Sequence, residues 1–358
     1  MINVTKTYLP PLDKYKNYLE KIWGNSWVTN RGPLVHELEQ KLKEYLGIKN
    51  ILFVSNGTIA LQIAIKALDL EGEIITTPFS YVATTTSILW ENCKPVFVDI
   101  EDKTFCIDSS KIESAISSKT SAILVTHVYG YPCDVEKIKQ IADKHNIKVI
   151  YDAAHAFGTK YKGSSILNYG DISTLSFHAT KLFHTIEGGG IVVNGNDELV
   201  KKVFLYHAFG HMDEDYFTVG INAKNCEFHA AMGLCNLPEV DTTIDLRKEI
   251  ALLYDEHLLP LGLKRPVLND KVEYNYAYYP IVFPNEALLL KIKNKLEENN
   301  INTRRYFYPS LNTLNYLDGS VCRVSEDISK RVLCLPFYHE LNKSDVNSIC
   351  KIIKTALS

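Results

Sequence analysis

The sequence predicts an α/β protein built on a mainly parallel sheet, followed by a smaller α+β unit at the carboxyl end. Short apolar runs of strand length alternate with segments of helical periodicity from residue 34 to residue 194. Several of these runs are apolar throughout, as in parallel strands that helices cover on both faces. The alternation ends near residues 240–260, so we predict a large domain over residues 1–240 and a small domain over residues 241–358.

The expected elements follow from the period of the apolar residues. In the large domain, helical spacing predicts helices over residues 34–46, 59–70, 82–92, 111–116 and 135–146. Strand-like runs predict seven strands, over residues 51–55, 73–78, 94–100, 121–128, 148–154, 172–178 and 189–194. In the small domain we expect helices over residues 246–259, 287–300 and 345–357 and a strand over 276–283. We also expect the N-terminal segment to pack on the small domain.

The composition limits the classes of function. Of 358 residues, 46% are apolar and 23% are charged, which is typical of a folded globular protein. The 39 Lys and Arg against 42 Asp and Glu give a formal charge of −3, so no broad basic surface is available for nucleic acid. No apolar run is long enough to cross a bilayer, and the N-terminus lacks the apolar core of a signal peptide. Eight scattered cysteines without a CxxC pair indicate reduced thiols. We therefore predict a cytoplasmic protein without nucleic-acid or membrane partners.

A first candidate binding site is the turn Ser55-Asn56-Gly57-Thr58, which lies between a predicted strand and a predicted helix. Gly57 lets a ligand approach the backbone, and the start of the helix offers free N–H groups and a partial positive charge, which suit a phosphate. The same residues also fit an ordinary turn in which Ser or Thr caps the helix. The turn is neither a P-loop nor a GxGxxG motif.

Three side chains that follow predicted strands are candidates for chemistry. Asp152 ends the strand KVIYD, where a buried carboxylate needs a partner such as a protonated ring nitrogen, although it also suits a helix N-cap. Lys181 follows the strand ISTL. In an apolar pocket its pKa would fall and its neutral amine would attack a carbonyl, whereas most single lysines are solvated. Tyr81 follows the strand EIITT, where it would stack on a planar ring or pack in the core.

Three other interpretations are disfavoured. His207 and His211 are four residues apart, but Gly210 weakens a helix there and spacing places no third ligand, so we predict no metal site. Ser176 and His178 lack the GxSxG context of a hydrolase nucleophile. A nicotinamide-dependent oxidoreductase needs GxGxxG near the start of the sheet, and the sequence lacks this motif.

Five motifs occur in order along the chain: SNGT-x-AL, PFSYVAT, YDAAHAFG, SFHATK-x-F-x-TIEGGG and GINAKNCEFHAAMGL. Together they resemble the DegT/DnrJ/EryC1/StrS family of nucleotide-sugar aminotransferases, over about residues 15–250 and more loosely to the end. The resemblance implies the fold type I of pyridoxal-phosphate-dependent transferases, the fold of aspartate aminotransferase. It also implies pyridoxal 5'-phosphate as the cofactor.

The resemblance assigns roles by position in these motifs. Lys181 matches the lysine that the family joins covalently to the cofactor, and Asp152 matches the carboxylate that keeps the ring nitrogen protonated, which makes the ring an electron sink. His155 stands where many relatives have Gln, beside the phenolic oxygen, and Tyr81 matches the aromatic residue that stacks on the ring. Three further residues match phosphate contacts: Gly57, Thr58 and Ser176.

The resemblance also implies a homodimer with shared active sites. Asn222, in the motif GINAK, matches an asparagine that reaches the cofactor phosphate of the neighbouring subunit. Some family members have His in place of the lysine and act as dehydratases, so Lys181 favours transamination. A non-catalytic regulator that only holds the cofactor is the alternative class. It would be expected to have lost the lysine, the aspartate or the phosphate site, and this sequence keeps all three.

The implied reaction is a ping-pong transfer of an amino group from L-glutamate to a nucleotide-linked keto sugar. The opening segment and the motifs over residues 151–190 look most like enzymes that convert dTDP-4-keto-6-deoxy-D-glucose to dTDP-4-amino-4,6-dideoxy-D-glucose, for O-antigen or other glycan biosynthesis. Amination at C-3 of a 3-keto isomer and a UDP-linked 4-keto sugar are the alternatives. Candidate contacts to the nucleotide sugar are Asn30, Arg31, Glu187, Tyr306 and Tyr308. The run TRRYFYP (303–309) offers guanidinium groups for a diphosphate and aromatic rings for a base, or is an ordinary loop.

Overall fold

The fold is described for residues 1–317 and 319–357 in a computed structural model. Its α-helices are α1 (Leu12–Asn25), α2 (Pro33–Leu46), α3 (Gly57–Ala67), α4 (Val82–Trp90), α5 (Ser109–Ile112), α6 (Val135–His145), α7 (Asp197–His207), α8 (Glu227–Asn236), α9 (Val240–Leu258), α10 (Glu286–Glu298), α11 (Arg323–Arg331) and α12 (Lys343–Leu357). Its strands are β1 (Ile51–Val54), β2 (Glu73–Thr76), β3 (Lys94–Phe97), β4 (Thr120–Thr126), β5 (Lys148–Asp152), β6 (Lys160–Tyr161), β7 (Ser164–Ser165), β8 (Ile172–Ser176), β9 (Gly189–Val193), β10 (His211–Met212), β11 (Asp215–Tyr216), β12 (Val272–Glu273), β13 (Pro280–Val282) and β14 (Val332–Cys334).

The seven predicted strands of the large domain form one sheet in the order β1-β9-β8-β5-β4-β2-β3. All are parallel except β9, which runs antiparallel to both of its neighbours. The prediction of a mainly parallel sheet is therefore confirmed. Each strand ends one to three residues before its predicted end, because the apolar pattern used to predict the strands continues into the loops that follow them. These loops lie together at the carboxyl edge of the parallel strands.

Helices cover both faces of the sheet, as the apolar strands require. Consecutive residues of one strand enter different hydrophobic clusters: Ile74 packs in the cluster that contains α3, and Ile75 packs in the cluster that contains α2. The same alternation separates Leu124 from Ile123. Each buried Ile or Leu contributes about 1.5–3 kcal/mol relative to an exposed position. The core thus fixes the register that brings the strand ends together.

The carboxyl-terminal part contains a second hydrophobic cluster. Helices α9, α10 and α12 pack there against the antiparallel pair β13–β14. The N-terminal residues join this part, since Ile2 pairs with Ile301 and the carbonyl of Val4 accepts a hydrogen bond from the N–H of Phe337. Helix α9 begins in the main cluster with Val240 and ends in the second cluster, so it connects the two regions. The domain boundary at residue 240 remains a prediction.

The strand predicted over residues 276–283 is shorter than expected, because only Pro280–Val282 pairs with another strand. Asn275 explains the difference. Its side-chain amide donates hydrogen bonds of 2.8 and 2.9 Å to the carbonyls of His155 and Phe157 in the large domain. Tyr276 follows with a left-handed φ of 50°, which no regular strand permits. The segment therefore runs as a loop past the edge of the central sheet.

Among residues 1–317 and 319–357, no helix combines the length and the apolar character needed to cross a membrane.

Candidate active site

A cleft of about 260 Å³ opens at the carboxyl ends of the central strands. Asp152 lies at the end of β5, Ser176 at the end of β8, and the loop after β8 brings Lys181 to the same place. The cleft is lined by every predicted cofactor residue except Asn222, namely Gly57, Thr58, Tyr81, Asp152, His155, Ser176 and Lys181. Glu187 and Tyr306, two of the predicted substrate contacts, also line it.

Asp152 is a buried carboxylate held by two donors. The hydroxyl of Thr84 donates to Oδ2 at 2.7 Å, and the N–H of Ala154 donates to Oδ1 at 3.0 Å. Burial raises the pKa of Asp152, while these two hydrogen bonds and the charge of Lys181 act in the opposite direction. The Thr84 hydroxyl belongs to a buried network, since Ser80 lies 2.7 Å from it and Thr126 lies 2.8 Å from Ser80. The carboxylate therefore has a fixed position and direction in the cleft.

Lys181 is the amine of the cleft. Burial lowers its pKa to about 8, the charge of Asp152 partly opposes this shift, and the charge of Arg304 adds to it. At neutral pH, a pKa near 8 makes the neutral amine roughly a few hundred times more abundant than on a solvated lysine. Its Nζ lies 3.5 Å from the hydroxyl of Tyr278. Lys181 is thus a desolvated amine whose neutral form is accessible near neutral pH, unlike that of a solvated surface lysine.

His155 presents a single N–H to the cleft. The backbone N–H of Tyr129 donates to its Nδ1 at 3.2 Å, which assigns the ring proton to Nε2. Burial lowers the pKa of His155 well below its usual range, so the imidazole is neutral. The ring of Phe307 lies parallel to it, with the centroids 5.7 Å apart. His155 is therefore a fixed neutral donor.

The start of α3 also lines the cleft. The side chain of Asn56 accepts a hydrogen bond from the N–H of Ile59 at 2.9 Å, so the N–H groups of Gly57 and Thr58 are left for another acceptor. A Cβ on Gly57 would lie 3.0 Å from the Cβ of Ser176, so a larger residue would force the two segments apart by a few tenths of an ångström. A helix start of this kind suits a phosphate.

These features fit pyridoxal 5'-phosphate. The buried carboxylate suits the ring nitrogen, the neutral N–H donor of His155 suits the phenolic oxygen, and the amine of Lys181 suits the aldehyde carbon. The phosphate suits the start of α3. The exposed ring of Tyr81 lies at the mouth of the cleft and is free to cover the ring of the cofactor.

Four predicted residues lie outside this cleft. Arg31 forms a 2.5 Å ion pair with Glu39 beside a separate cavity, and Asn30 is exposed. Tyr308 is exposed and stacks under the guanidinium of Arg305, whose carbon is 3.4 Å from the ring centroid. Asn222 is exposed, and its backbone pairs with Ala208. The roles of Asn30, Arg31, Tyr308 and Asn222 stay predictions.

Three functional candidates emerge only from the structure. Thr84 holds Asp152, Tyr278 contacts Lys181, and Arg304 lines the cleft. The sequence contains a signal for Thr84, since Ser80 and Thr84 are four residues apart at the start of a helix and a spacing of four places two side chains close together. Tyr278 lies in a run that was predicted to be a strand, and Arg304 lies in a run predicted only to offer guanidinium groups.

In the part of the chain that the structure describes, no three His, Cys, Asp or Glu side chains are grouped so as to hold a metal ion.

The sheet topology, together with the amine and the carboxylate that line one cleft at its carboxyl edge, is that of a pyridoxal-phosphate-dependent transferase of fold type I. The chain belongs to the DegT/DnrJ/EryC1/StrS aminotransferase family, whose model matches residues 13–354. The fold, the cofactor and the aminotransferase class implied by the sequence motifs are thereby confirmed.

Individual relatives support the same assignment. The chain is 44% identical to the dTDP-4-amino-4,6-dideoxy-D-glucose transaminase of Shigella dysenteriae, over 99% of this chain and 98% of that protein. It is 41% identical to the transaminase of the same name from Escherichia coli, over 98% of each chain. Among solved structures, that of DesI in the presence of its TDP-sugar product has a TM-score of 0.94 at 28% identity, over 99% of this chain and 93% of that chain.

We expect Thr84→Val to lower kcat/KM about tenfold while the protein remains folded. Valine keeps the shape of threonine but removes the hydroxyl that donates to Asp152, and a hydrogen bond to a charged group contributes about 1.5–3 kcal/mol. The pKa of Asp152 then rises further, because the Thr84 hydrogen bond lowers it. Steady-state kinetics and the free energy of unfolding are measured together.

Thr86→Val is the matched control for this variant. The hydroxyl of Thr86 lies on the same helix but donates only to the carbonyls of Val82 and Ala83. If Thr86→Val lowers kcat/KM as much as Thr84→Val does, the effect comes from the helix and not from the bond to Asp152.

Proposed function

We propose that this protein transfers an amino group from L-glutamate to dTDP-4-keto-6-deoxy-D-glucose and so produces dTDP-4-amino-4,6-dideoxy-D-glucose. The observation that carries the proposal is the pair formed by Lys181 and Asp152 in one cleft, an amine with a pKa near 8 and a buried carboxylate. The choice of sugar is supported by the two transaminases of that name, which match this chain over almost its whole length.

Bound pyridoxal 5'-phosphate supplies an aldehyde that accepts the amino group and a ring that withdraws electrons. Asp152 would keep the ring nitrogen protonated, and His155 would donate its Nε2 hydrogen to the phenolic oxygen. The N–H groups of Gly57 and Thr58 would hold the phosphate together with the hydroxyl of Ser176. Each of these groups lines the cleft in this chain.

Lys181 moves the protons of the reaction. In the half-reaction with the amino donor, the neutral Nζ would take the proton from the donor α-carbon and pass it to the cofactor carbon that accepts the nitrogen. In the half-reaction with the sugar, Nζ would take a proton from that cofactor carbon and deliver it to the sugar carbon that receives the amino group. A pKa near 8 suits both directions, because a general acid–base group works best when its pKa lies close to the working pH.

The proposed function is tested with the purified holoenzyme, glutamate and a panel of dTDP- and UDP-linked 3-keto and 4-keto sugars. We expect 2-oxoglutarate and an amine at C-4 of the dTDP-linked 6-deoxy sugar, identified by mass spectrometry and NMR. An amine at C-3, or turnover of the UDP sugar alone, would replace the proposed substrate but keep the aminotransferase chemistry. No transfer from glutamate to any member of the panel would contradict the proposal.

We also propose that the protein works in the cytoplasm and supplies an amino sugar for O-antigen or another glycan. All eight cysteines are free thiols and seven of them are buried, which is typical of proteins from a reducing compartment.

We propose a homodimer in which each active site takes Asn222 from the partner subunit. Asn222 does not line the cleft of its own chain, and the segment around it is unusually apolar for a surface. Between residues 209 and 221, the exposed side chains include six large apolar ones: Phe209, Met212, Tyr216, Phe217, Val219 and Ile221. An exposed apolar patch of this kind marks a contact surface, and a second copy of this chain would cover it.

Mixed dimers test this arrangement. We expect Lys181→Ala and Asn222→Ala to be poorly active alone, and a hybrid dimer of the two, isolated by two different tags, to regain about half of the wild-type activity. The hybrid contains one intact site, with Lys181 from one chain and Asn222 from the other. If Asn222 serves its own chain, neither site is intact, and the hybrid is no more active than the two homodimers.

A further inference from the structure

Arg304 is a cation at the cleft without a carboxylate partner. Within residues 1–317 and 319–357, no Asp or Glu lies within ion-pair distance of its guanidinium. The other charged groups of the cleft are already engaged, because Asp152 accepts two hydrogen bonds and His178 lies 3.5 Å from Glu187. The charge of Arg304 also contributes to the lowered pKa of both Lys181 and His155. Arg304 therefore acts close to the reacting groups.

The backbone of Arg304 is held by two hydrogen bonds, and its exposed side chain lies over an aromatic ring. Its backbone N–H donates to the carbonyl of Cys334 at 3.1 Å, and the N–H of Cys334 donates back to the carbonyl of Arg304 at 2.8 Å. The guanidinium carbon lies 4.3 Å from the centroid of the Tyr306 ring, and the carbonyl of Tyr306 accepts a hydrogen bond from the hydroxyl of Tyr129. A guanidinium held on an aromatic ring keeps its donors free for a ligand.

The neighbouring arginine has a different role. Arg305 forms a 2.5 Å ion pair with Glu286 and stacks on Tyr308, outside the cleft. Of the two adjacent arginines in the run TRRYFYP, only Arg304 lines the cleft that contains Lys181. The pair therefore does not act as one clamp for a diphosphate.

A small side cavity of about 50 Å³ adjoins the cleft at Arg304. Thr180, Arg304 and Tyr306 line both spaces, and Thr5 and Tyr278 line the side cavity alone. The side cavity thus combines a guanidinium with hydroxyl groups, and its volume accommodates a group of the size of a carboxylate. Hydrogen bonds from guanidinium to carboxylate are among the strongest in proteins.

From this geometry we infer that Arg304 and the side cavity bind a carboxylate of the amino donor, an α-amino dicarboxylic acid. The inference rests on the proposed function, in which glutamate enters the same cleft. The α-carboxylate is attached to the carbon that reacts beside Lys181, and its oxygens lie only about 2.4 Å from that carbon. In a sugar that reacts at C-4, by contrast, the sugar ring separates the diphosphate from the reacting carbon. An unpaired cation in the same cleft as the lysine thus suits the donor carboxylate better than the diphosphate.

Binding to the holoenzyme separates these two anions without any turnover. Glutarate, a five-carbon diacid that lacks the amino group, is titrated by calorimetry and by the change in the visible absorption of the cofactor, and dTDP is titrated in parallel. We expect Arg304→Gln to weaken glutarate binding roughly 10- to 100-fold and to change dTDP binding less than about threefold. Arg304→Lys, which keeps the charge but loses the planar fork, is expected to be intermediate.

Arg305→Gln is the matched control and should leave the affinity for both probes unchanged, although it loses the ion pair with Glu286. A selective loss of dTDP affinity in Arg304→Gln would assign Arg304 to the diphosphate and overturn the inference. Unchanged affinities, an equal loss of both, or no saturable glutarate binding to the wild type would also overturn it. If the wild type aminates no keto sugar, the proposed function is contradicted. The titration with glutarate would still test whether Arg304 binds a carboxylate.

Discussion

Replacement of Lys181 by alanine is expected to abolish covalent attachment of the cofactor and to reduce transamination by at least about 10²- to 10⁴-fold. The variant loses both the amine that joins the aldehyde and the group that moves the proton. We expect the protein to remain folded, because the buried ammonium of Lys181 is disfavoured by desolvation and alanine removes that cost. Borohydride reduction followed by peptide mass spectrometry, together with oxoglutarate formation from glutamate, measures the two losses.

Lys137→Ala is the control for this variant. Lys137 is an exposed lysine on α6, outside the cleft, and its replacement should leave the reduced adduct and the rate unchanged. A Lys181→Ala protein that still yields a borohydride-fixed adduct elsewhere in the chain would contradict the assignment of the cofactor lysine.

The sequence predicts the convergence of the site because parallel strands end at one edge of a sheet. Asp152 and Lys181 are separated by 29 residues, yet each follows a strand of the same sheet, and the structure places both in one cleft. An apolar run such as KVIYD identifies a strand of this sheet from a short window of sequence. The strand ends were predicted too late along the chain because the apolar pattern continues into the loops that line the cleft.

Elements that depend on distant contacts were not predicted. Helix α8 is buried almost throughout, so its apolar residues show no amphipathic period. Helix α11 is capped by Asp99, whose carboxylate accepts the N–H groups of Val324 and Ser325 at 2.9 Å from more than 200 residues away. No local window of sequence contains the partner of such a cap.

The same limit applies to the site. Tyr278 contacts Lys181 and Arg304 lines the cleft, both from the carboxyl-terminal part of the chain, and no spacing rule connects either residue to Lys181. Arg31 is a residue that the sequence predicts to contact the substrate but that lies outside the cleft. Its guanidinium instead forms an ion pair with Glu39, eight residues further along the chain. Sequence patterns identify residue types that suit a ligand. Whether such a residue contacts a ligand or another side chain depends on the three-dimensional fold.

Replacement of Asp152 by asparagine is expected to lower kcat by at least about 10²-fold while the fold is kept. Asparagine has the shape of aspartate and still accepts the N–H of Ala154, but it has no charge to keep the ring nitrogen protonated. The visible spectrum of the bound cofactor should change together with the rate. Asp134→Asn, in a residue that caps α6 outside the cleft, should leave both unchanged.

The stability of the same variant separates chemistry from folding. The pKa of Asp152 is raised in the folded protein, so its contribution to stability is present below the unfolded pKa and is lost as the pH rises through the folded pKa. At neutral pH the ionised carboxylate therefore costs stability, and asparagine removes that cost. We expect the cofactor-free Asp152→Asn protein to unfold at the same or a higher denaturant concentration than the cofactor-free wild type. A clear loss of stability would instead mean that the carboxylate holds the fold, and the fall in kcat would no longer identify it as the partner of the ring nitrogen.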